Sequence, residues 1–128
     1  MFELSIESSF SAAHQLRGYE GECKNVHGHN FLVEVTVSVK KLNGIGIGVD
    51  FLDLQREVDY FIKQVDHKNL SKLSQFKKIN PTSENLAIWF YDGLHKKVNS
   101  NNVKLVRVQV KESSQFTATY YGKQKANG

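Results

Sequence analysis

The segment His27-Gly-His-Asn-Phe-Leu-Val-Glu-Val-Thr-Val-Ser-Val39 decides how the chain is read. Its odd positions hold His27, His29, Phe31, Val33, Val35, Val37 and Val39, and its even positions include Asn30, Glu34, Thr36 and Ser38. Side chains leave a strand on alternate sides, so this period of two, rich in β-branched valine, predicts a half-buried strand. The same alternation sends the rings of His27 and His29 out of one face, where both can converge on a single ion. Gly28 between them leaves the opposite face bare and allows close approach there.

Upstream, Phe2, Leu4, Ile6, Ser8 and Phe10 share one parity, which predicts a first strand over residues 2–10. Its extension carries Ala12 and His14 in the same parity. Residues 15–24 are polar with two glycines and read as a loop. A hairpin across that loop brings His14 beside His27 and His29. Three imidazoles with an open fourth position make a catalytic-type zinc site. Two other readings stay open on spacing alone. Cys23 could be a fourth ligand in a closed structural site, or the histidines could be ordinary surface and core residues.

Downstream, Lys41 to Gly48 contains an Asn-Gly step and three glycines but lacks the Lys-Ser/Thr of a phosphate loop, so it reads as a turn. Asp50 is placed to cap a helix to about Val65, with Leu54, Val58, Phe61, Ile62 and Val65 as its apolar stripe. Residues 66–80 are polar and end at Asn80-Pro81. A second helix is predicted from Pro81–Ser83 to about Val98, capped by Thr82 or Ser83 and burying Leu86, Phe90, Leu94 and Val98. Strands are expected over Val103–Glu112 and Phe116–Tyr121. Glu112 shares parity with Val106, Val108 and Val110, and an acid on an apolar-facing side needs a partner.

The order β-β-α-α-β-β predicts an α+β domain over residues 1–122: a four-stranded antiparallel sheet with two helices on one face. Residues 123–128 form a polar tail. The second face of the sheet is expected to be covered by self-association. A single domain is all that 128 residues allow, and with 40% hydrophobic and 23% charged residues the balance is globular. The formal charge of +4 comes from scattered lysines without a long run, which suits an anionic metabolite and argues against a nucleic-acid surface. One cysteine excludes an intrachain disulfide and fits a reducing compartment. Neither a signal peptide nor an apolar run of about 18 residues is visible, so no membrane partner is expected and a cytoplasmic location is.

The run Phe10-Ser-Ala-Ala-His14 followed by Cys23-Lys-Asn-Val-His27-Gly-His29 resembles the 6-pyruvoyltetrahydropterin synthase superfamily. Within it, the sequence looks most like the bacterial 6-carboxytetrahydropterin synthases of queuosine biosynthesis. The likeness continues through Val49-Asp50-Phe51, Val65-Asp66-His67, Asn80-Pro81-Thr82-Ser83-Glu84 and Val110-Lys111-Glu112-Ser113, in the family's order. Gln55 stands where members often carry lysine, and Ser71 where they often carry asparagine.

This resemblance implies the tunnelling fold, with sheets joined into a barrel in trimers that stack into a homohexamer. It implies a lyase with zinc on His14, His27 and His29, Cys23 as general base, Asp66 and His67 as a proton relay, and Glu112 as the anchor of the pterin ring. Adjacent residues rarely hydrogen-bond to each other, so Asp66 is expected to orient some group other than His67. The implied substrate is 7,8-dihydroneopterin triphosphate. The carboxy branch also releases acetaldehyde and triphosphate, whereas the pyruvoyl branch eliminates triphosphate and rearranges internally. The three-residue gap between Cys23 and His27 resembles the carboxy branch. Two alternatives from other classes are a non-enzymatic zinc-stabilised assembly module and a cyclohydrolase acting on guanosine triphosphate.

Overall fold

The computed structural model of the chain describes residues 1–18 and 25–123. Cys23, residues 19–24 as a whole and most of the 123–128 tail lie outside the described residues. Strands β1 (Phe2–His14) and β2 (His27–Val39) form a long antiparallel hairpin, paired from Phe2↔Val39 to His14↔His27. Helix α1 (Phe51–Val65) starts at Asp50, whose carboxylate accepts the Leu52 N–H at 2.9 Å, a cap worth about 1 kcal/mol. Its buried residues are Leu54, Val58, Phe61, Ile62 and Val65, the stripe predicted from periodicity.

A two-residue strand, β3 (Lys68–Asn69), follows, then two short 3₁₀ turns at Leu70–Lys72 and Ser74–Phe76. Helix α2 (Ser83–Val98) is capped by Thr82, whose hydroxyl accepts the Asn85 N–H at 3.0 Å. It buries Leu86, Phe90 and Leu94 as predicted, while Val98 is only half-buried. Strands β4 (Val103–Lys111) and β5 (Thr117–Tyr120) complete the elements of the described residues.

The sheet order is β3-β1-β2-β4-β5. The four antiparallel strands are those expected, but among the described residues the sheet has five. The addition is β3, which pairs in parallel with Ala12 and Ala13. Two residues carry no periodicity, so nothing in the polar 66–80 stretch announced it. The first strand runs through its expected extension to His14. Both helices pack on the face that buries Phe31, Val33, Val35, Val37 and Val39.

One irregularity matters for the site. β2 pairs Thr36 with Arg107 but Val37 with Leu105, so Val106 is an extra residue in β4. A strand normally keeps one parity inward. Here Val103 and Leu105 are buried before the bulge, and Val108 and Val110 after it. Without the bulge, the parity of Leu105 would turn Val110 and Glu112 to the other face. With it, Glu112 emerges from β4 on the same face as the histidines.

Candidate metal centre

The register places His14 directly across from His27, and Ala12 across from His29. Residues directly opposite have Cβ atoms about 5 Å apart, so the hairpin alone gathers the imidazoles. The Nε2 atoms of His14 and His27 lie 3.1 Å apart. Glu112 Oε1 joins them, 3.3 Å from His14 Nε2 and 3.0 Å from His29 Nε2. One ligand atom from each of these four residues falls within 4.8 Å of all the others.

The tautomers can be read from the hydrogen bonds. His14 Nδ1 faces the Pro81 carbonyl at 2.8 Å, and His27 Nδ1 faces the Asn25 carbonyl at 2.8 Å. A carbonyl only accepts, so each Nδ1 carries the proton, and each neutral ring presents an Nε2 lone pair. Two lone pairs at 3.1 Å repel unless a cation or an extra proton lies between them. His29 Nε2 is buried and, despite the nearby Glu112 oxygen, makes no hydrogen bond of adequate angle. Burial holds the His29 pKa below its usual value, Glu112 opposes that shift, and His14 and His27 reinforce it. The ring therefore favours its neutral, ligating form. An orphaned buried nitrogen and two facing lone pairs beside a carboxylate are a donor set that fits a divalent cation.

Asp66 and His67 are tied to the same end of the sheet. Asp66 ends α1, its N–H donating to the Ile62 carbonyl at 2.9 Å, and its Oδ1 accepts the Ser11 N–H at 3.0 Å. That backbone donor, chiefly, holds the Asp66 carboxyl below the ordinary carboxylate range, against the effect of burial and with smaller help from His67. Contrary to expectation, the two neighbours do meet: His67 Nδ1 lies 3.0 Å from Asp66 Oδ1. The reason is backbone conformation. His67 has φ +58°, the left-handed region, and this turn swings its ring back over Asp66 while its N–H bonds the Ser11 carbonyl at 2.6 Å. The ring is exposed and lines an open cavity of about 490 Å³ with His29, Ser11, Asn30, Lys68 and Asn69.

Residues 3–123 match the 6-pyruvoyl tetrahydropterin synthase family. The chain belongs to that family. It is 39% identical over 111 residues to a protein of Pyrococcus furiosus named dihydroneopterin monophosphate aldolase, covering 85% of this chain and 88% of the relative. It is 33% identical over 126 residues to a Synechocystis 6-carboxy-5,6,7,8-tetrahydropterin synthase, covering 94% of each. In three dimensions it resembles Caenorhabditis elegans 6-pyruvoyl tetrahydropterin synthase with a TM-score of 0.84 and 29% identity, over 95% of this chain and 96% of that one.

For a member of the pterin synthase family, the features not foreseen are as informative as those that were. Glu112, for which the resemblance implies the role of pterin anchor, also reaches the histidines directly. It also lines a second cavity of about 420 Å³ with Ser83, Phe116, Thr117 and Thr119. Ser83, read as a candidate helix cap, turns inward instead, and its buried hydroxyl has no partner among the described residues. The carbonyls of Asn25 and Pro81, which orient two imidazoles, carry no side-chain signal that a sequence could reveal. Gln55, at the position where lysine is common, donates to Asp59 at 2.9 Å under α1 and takes no part in the cluster.

Proposed function

We propose that this chain is a zinc-dependent lyase that converts 7,8-dihydroneopterin triphosphate to 6-carboxy-5,6,7,8-tetrahydropterin, releasing acetaldehyde and triphosphate, in queuosine biosynthesis. The observation that carries the reading is the convergence of three imidazoles beside one carboxylate: the outer nitrogens of His14 and His27 are fixed as donors, which turns their Nε2 atoms inward, and His29 Nε2 is buried without a hydrogen bond. His14, His27 and His29 would hold the ion. Nitrogen donors with a carboxylate suit zinc, and zinc ligands at about 2.0–2.1 Å in a tetrahedron lie roughly 3.3 Å apart, close to the imidazole spacing here. When bound, zinc supplies Lewis acidity that makes hydroxyls of the substrate side chain easier to ionise.

The remaining roles belong to the chain's own groups. Asp66 engages His67 Nδ1, which leaves His67 Nε2 free to take and return a proton in the cavity it shares with His29. Cys23 keeps the role of general base that the resemblance implies, a role in which a bound cation would favour the thiolate. The Glu112 carboxylate and the Ser83 hydroxyl face one cavity, where a carboxylate matches the paired amino and ring N–H donors of a pterin. The open sheet supports assembly into a hexamer of two trimers, which would complete each cavity from a neighbouring subunit.

A second reading, cleavage of the side chain of dihydroneopterin monophosphate, is favoured by the Pyrococcus relative's name and its 39% identity. Mass spectrometry of the products from zinc-loaded protein separates the readings. A 6-carboxytetrahydropterin product with acetaldehyde from the triphosphate supports the first. A 6-pyruvoyl product moves the chain to the other synthase branch. Turnover of the monophosphate alone favours the aldolase reading. Unchanged substrates at full zinc occupancy would sink the enzymatic reading and leave an assembly module.

A further inference from the structure

His14 is the last residue of β1, paired with β2 on one side but past the end of β3 on the other, and a strand end with one open edge is a poor place to hold a metal ligand still. The residues after it are nevertheless pinned. The Ser71 hydroxyl accepts the Gln15 N–H at 2.9 Å and donates to the Gln15 carbonyl at 3.1 Å. Two residues on, Asn80 does the same with a carboxamide: its Oδ1 accepts the Arg17 N–H at 2.9 Å and its Nδ2 donates to the Arg17 carbonyl at 2.8 Å. Both side chains imitate a neighbouring strand at alternate residues, continuing the edge where β3 stops.

Arg17 closes the loop in the other direction. Its guanidinium Nη2 donates to the carbonyls of Phe76 at 2.6 Å and Ile79 at 2.9 Å. Asn85 Nδ2 donates to the Asn80 carbonyl at 2.8 Å, from the first turn of α2. Segment 76–80 is therefore clamped on both sides, and the next residue is Pro81, whose carbonyl receives His14 Nδ1. His14 is buried to 1% exposure, so no water can substitute for that carbonyl without opening the site.

We infer that Arg17 and Asn80 are positioning residues for the metal: a two-way latch that sets the Pro81 carbonyl, and through it the tautomer and aim of His14. The inference rests on the zinc reading above. It also gives Arg17 a task other than meeting a phosphate, since its guanidinium is engaged with two carbonyls.

The molecule contains its own control. At the opposite end of the sheet, Asn102 makes the same doublet with Lys41, accepting its N–H at 2.9 Å and donating to its carbonyl at 2.9 Å. Asn80→Ala and Asn102→Ala thus remove the same two hydrogen bonds, one beside His14 and one far from it. Zinc affinity of the full chain, measured by competition with a chromogenic chelator, should fall about tenfold or more in Asn80→Ala and in Arg17→Ala, as for loss of an outer-shell partner. In Asn102→Ala it should stay at the wild-type value, although thermal unfolding of the metal-free protein drops comparably in both asparagine variants. Arg17 is largely exposed, so its variant tests the latch even where Asn80→Ala folds poorly. Wild-type affinity in Asn80→Ala and Arg17→Ala, or an equal loss in Asn102→Ala, overturns the latch and leaves the zinc reading standing. A wild-type chain that takes up no zinc overturns the zinc reading, and the latch with it.

Discussion

The two ends of the β1–β2 hairpin share one alternation and one buried face, yet they differ in what that face carries. At one end Leu4 pairs with Val37 and Ile6 with Val35, apolar against apolar. At the other, His14 pairs with His27 and Ala12 with His29. The valines need nothing more than exclusion of water. Each imidazole instead brings two nitrogens that must be satisfied, and the fold supplies partners for only some of them. The Nδ1 atoms of His14 and His27 receive carbonyls, whereas His29 Nε2 is buried without a hydrogen bond. An incomplete account at one end and a complete one at the other is what separates a site from a core.

Substitutions at the two ends should therefore fail in opposite ways. His29→Ala should lower zinc affinity beyond the roughly 100-fold that marks loss of an outer-shell partner, with turnover lost alongside. The same variant should unfold no earlier than wild type when metal is absent, because it removes an orphaned nitrogen and a crowded ring. Val35→Ala should do the reverse. It deletes two fully buried methyl groups, at a stability cost of roughly 2 kcal/mol, and leaves zinc affinity unchanged. Chelator competition and thermal unfolding of the metal-free protein, run on both variants, check the crossover. A large stability loss in metal-free His29→Ala would mean that the imidazoles serve the core.

The valine end was legible because alternation is a property of the strand itself, and β-branched residues declare it. The histidines were legible for the same reason: His27 and His29 are part of that alternation, and the hairpin places His14. The bulge at Val106 was not, since it is an extra residue in an unbroken run of β-formers and appears only when β4 is set against β2. The direction of Glu112 was legible all the same, because its parity with Val108 and Val110 holds beyond the bulge; what the bulge adds is that Val103 and Leu105, of the other parity, share that face. The latch was hidden for another reason. Asn80 and Arg17 stand 63 residues apart, and each reads locally as a turn or loop residue. Their meeting depends on β3, a pairing too short to leave a pattern.

His67 sharpens the comparison at one backbone position. Its φ of +58° is strained for any residue with a Cβ, and it is the only such residue other than glycine among those described. The strain persists because the turn brings the ring onto Asp66 and the chain back along β1. His67→Gly should therefore be more stable than His67→Ala by about 1 kcal/mol, since glycine enters the left-handed region freely. Both should lose turnover while keeping zinc. Equal stability of the two variants in denaturant unfolding would mean the turn relaxes once the ring is gone. Retained turnover in either would remove His67 from the proton relay.

The smallest effect belongs to the Asp66 carboxylate, which joins the end of α1 to β1 through the Ser11 N–H. Its pKa in the folded chain lies below the ordinary value of 3.8. A carboxyl depressed on folding binds its proton more readily in the unfolded chain, so its stabilising effect is complete above that ordinary value. The effect then fades as pH falls through the lower, folded value. Asp66→Asn, which cannot ionise, should unfold slightly earlier than wild type at neutral pH. The gap should stay level down to about the ordinary carboxylate value and close below it. Asp66 is partly exposed, so solvent screening keeps the gap small, and paired unfolding curves of the two proteins at each pH are needed to resolve it. A gap that persists to the acid limit would show that the amide fails to replace the carboxylate for some reason other than charge, such as the geometry it offers to the Ser11 N–H and the His67 ring.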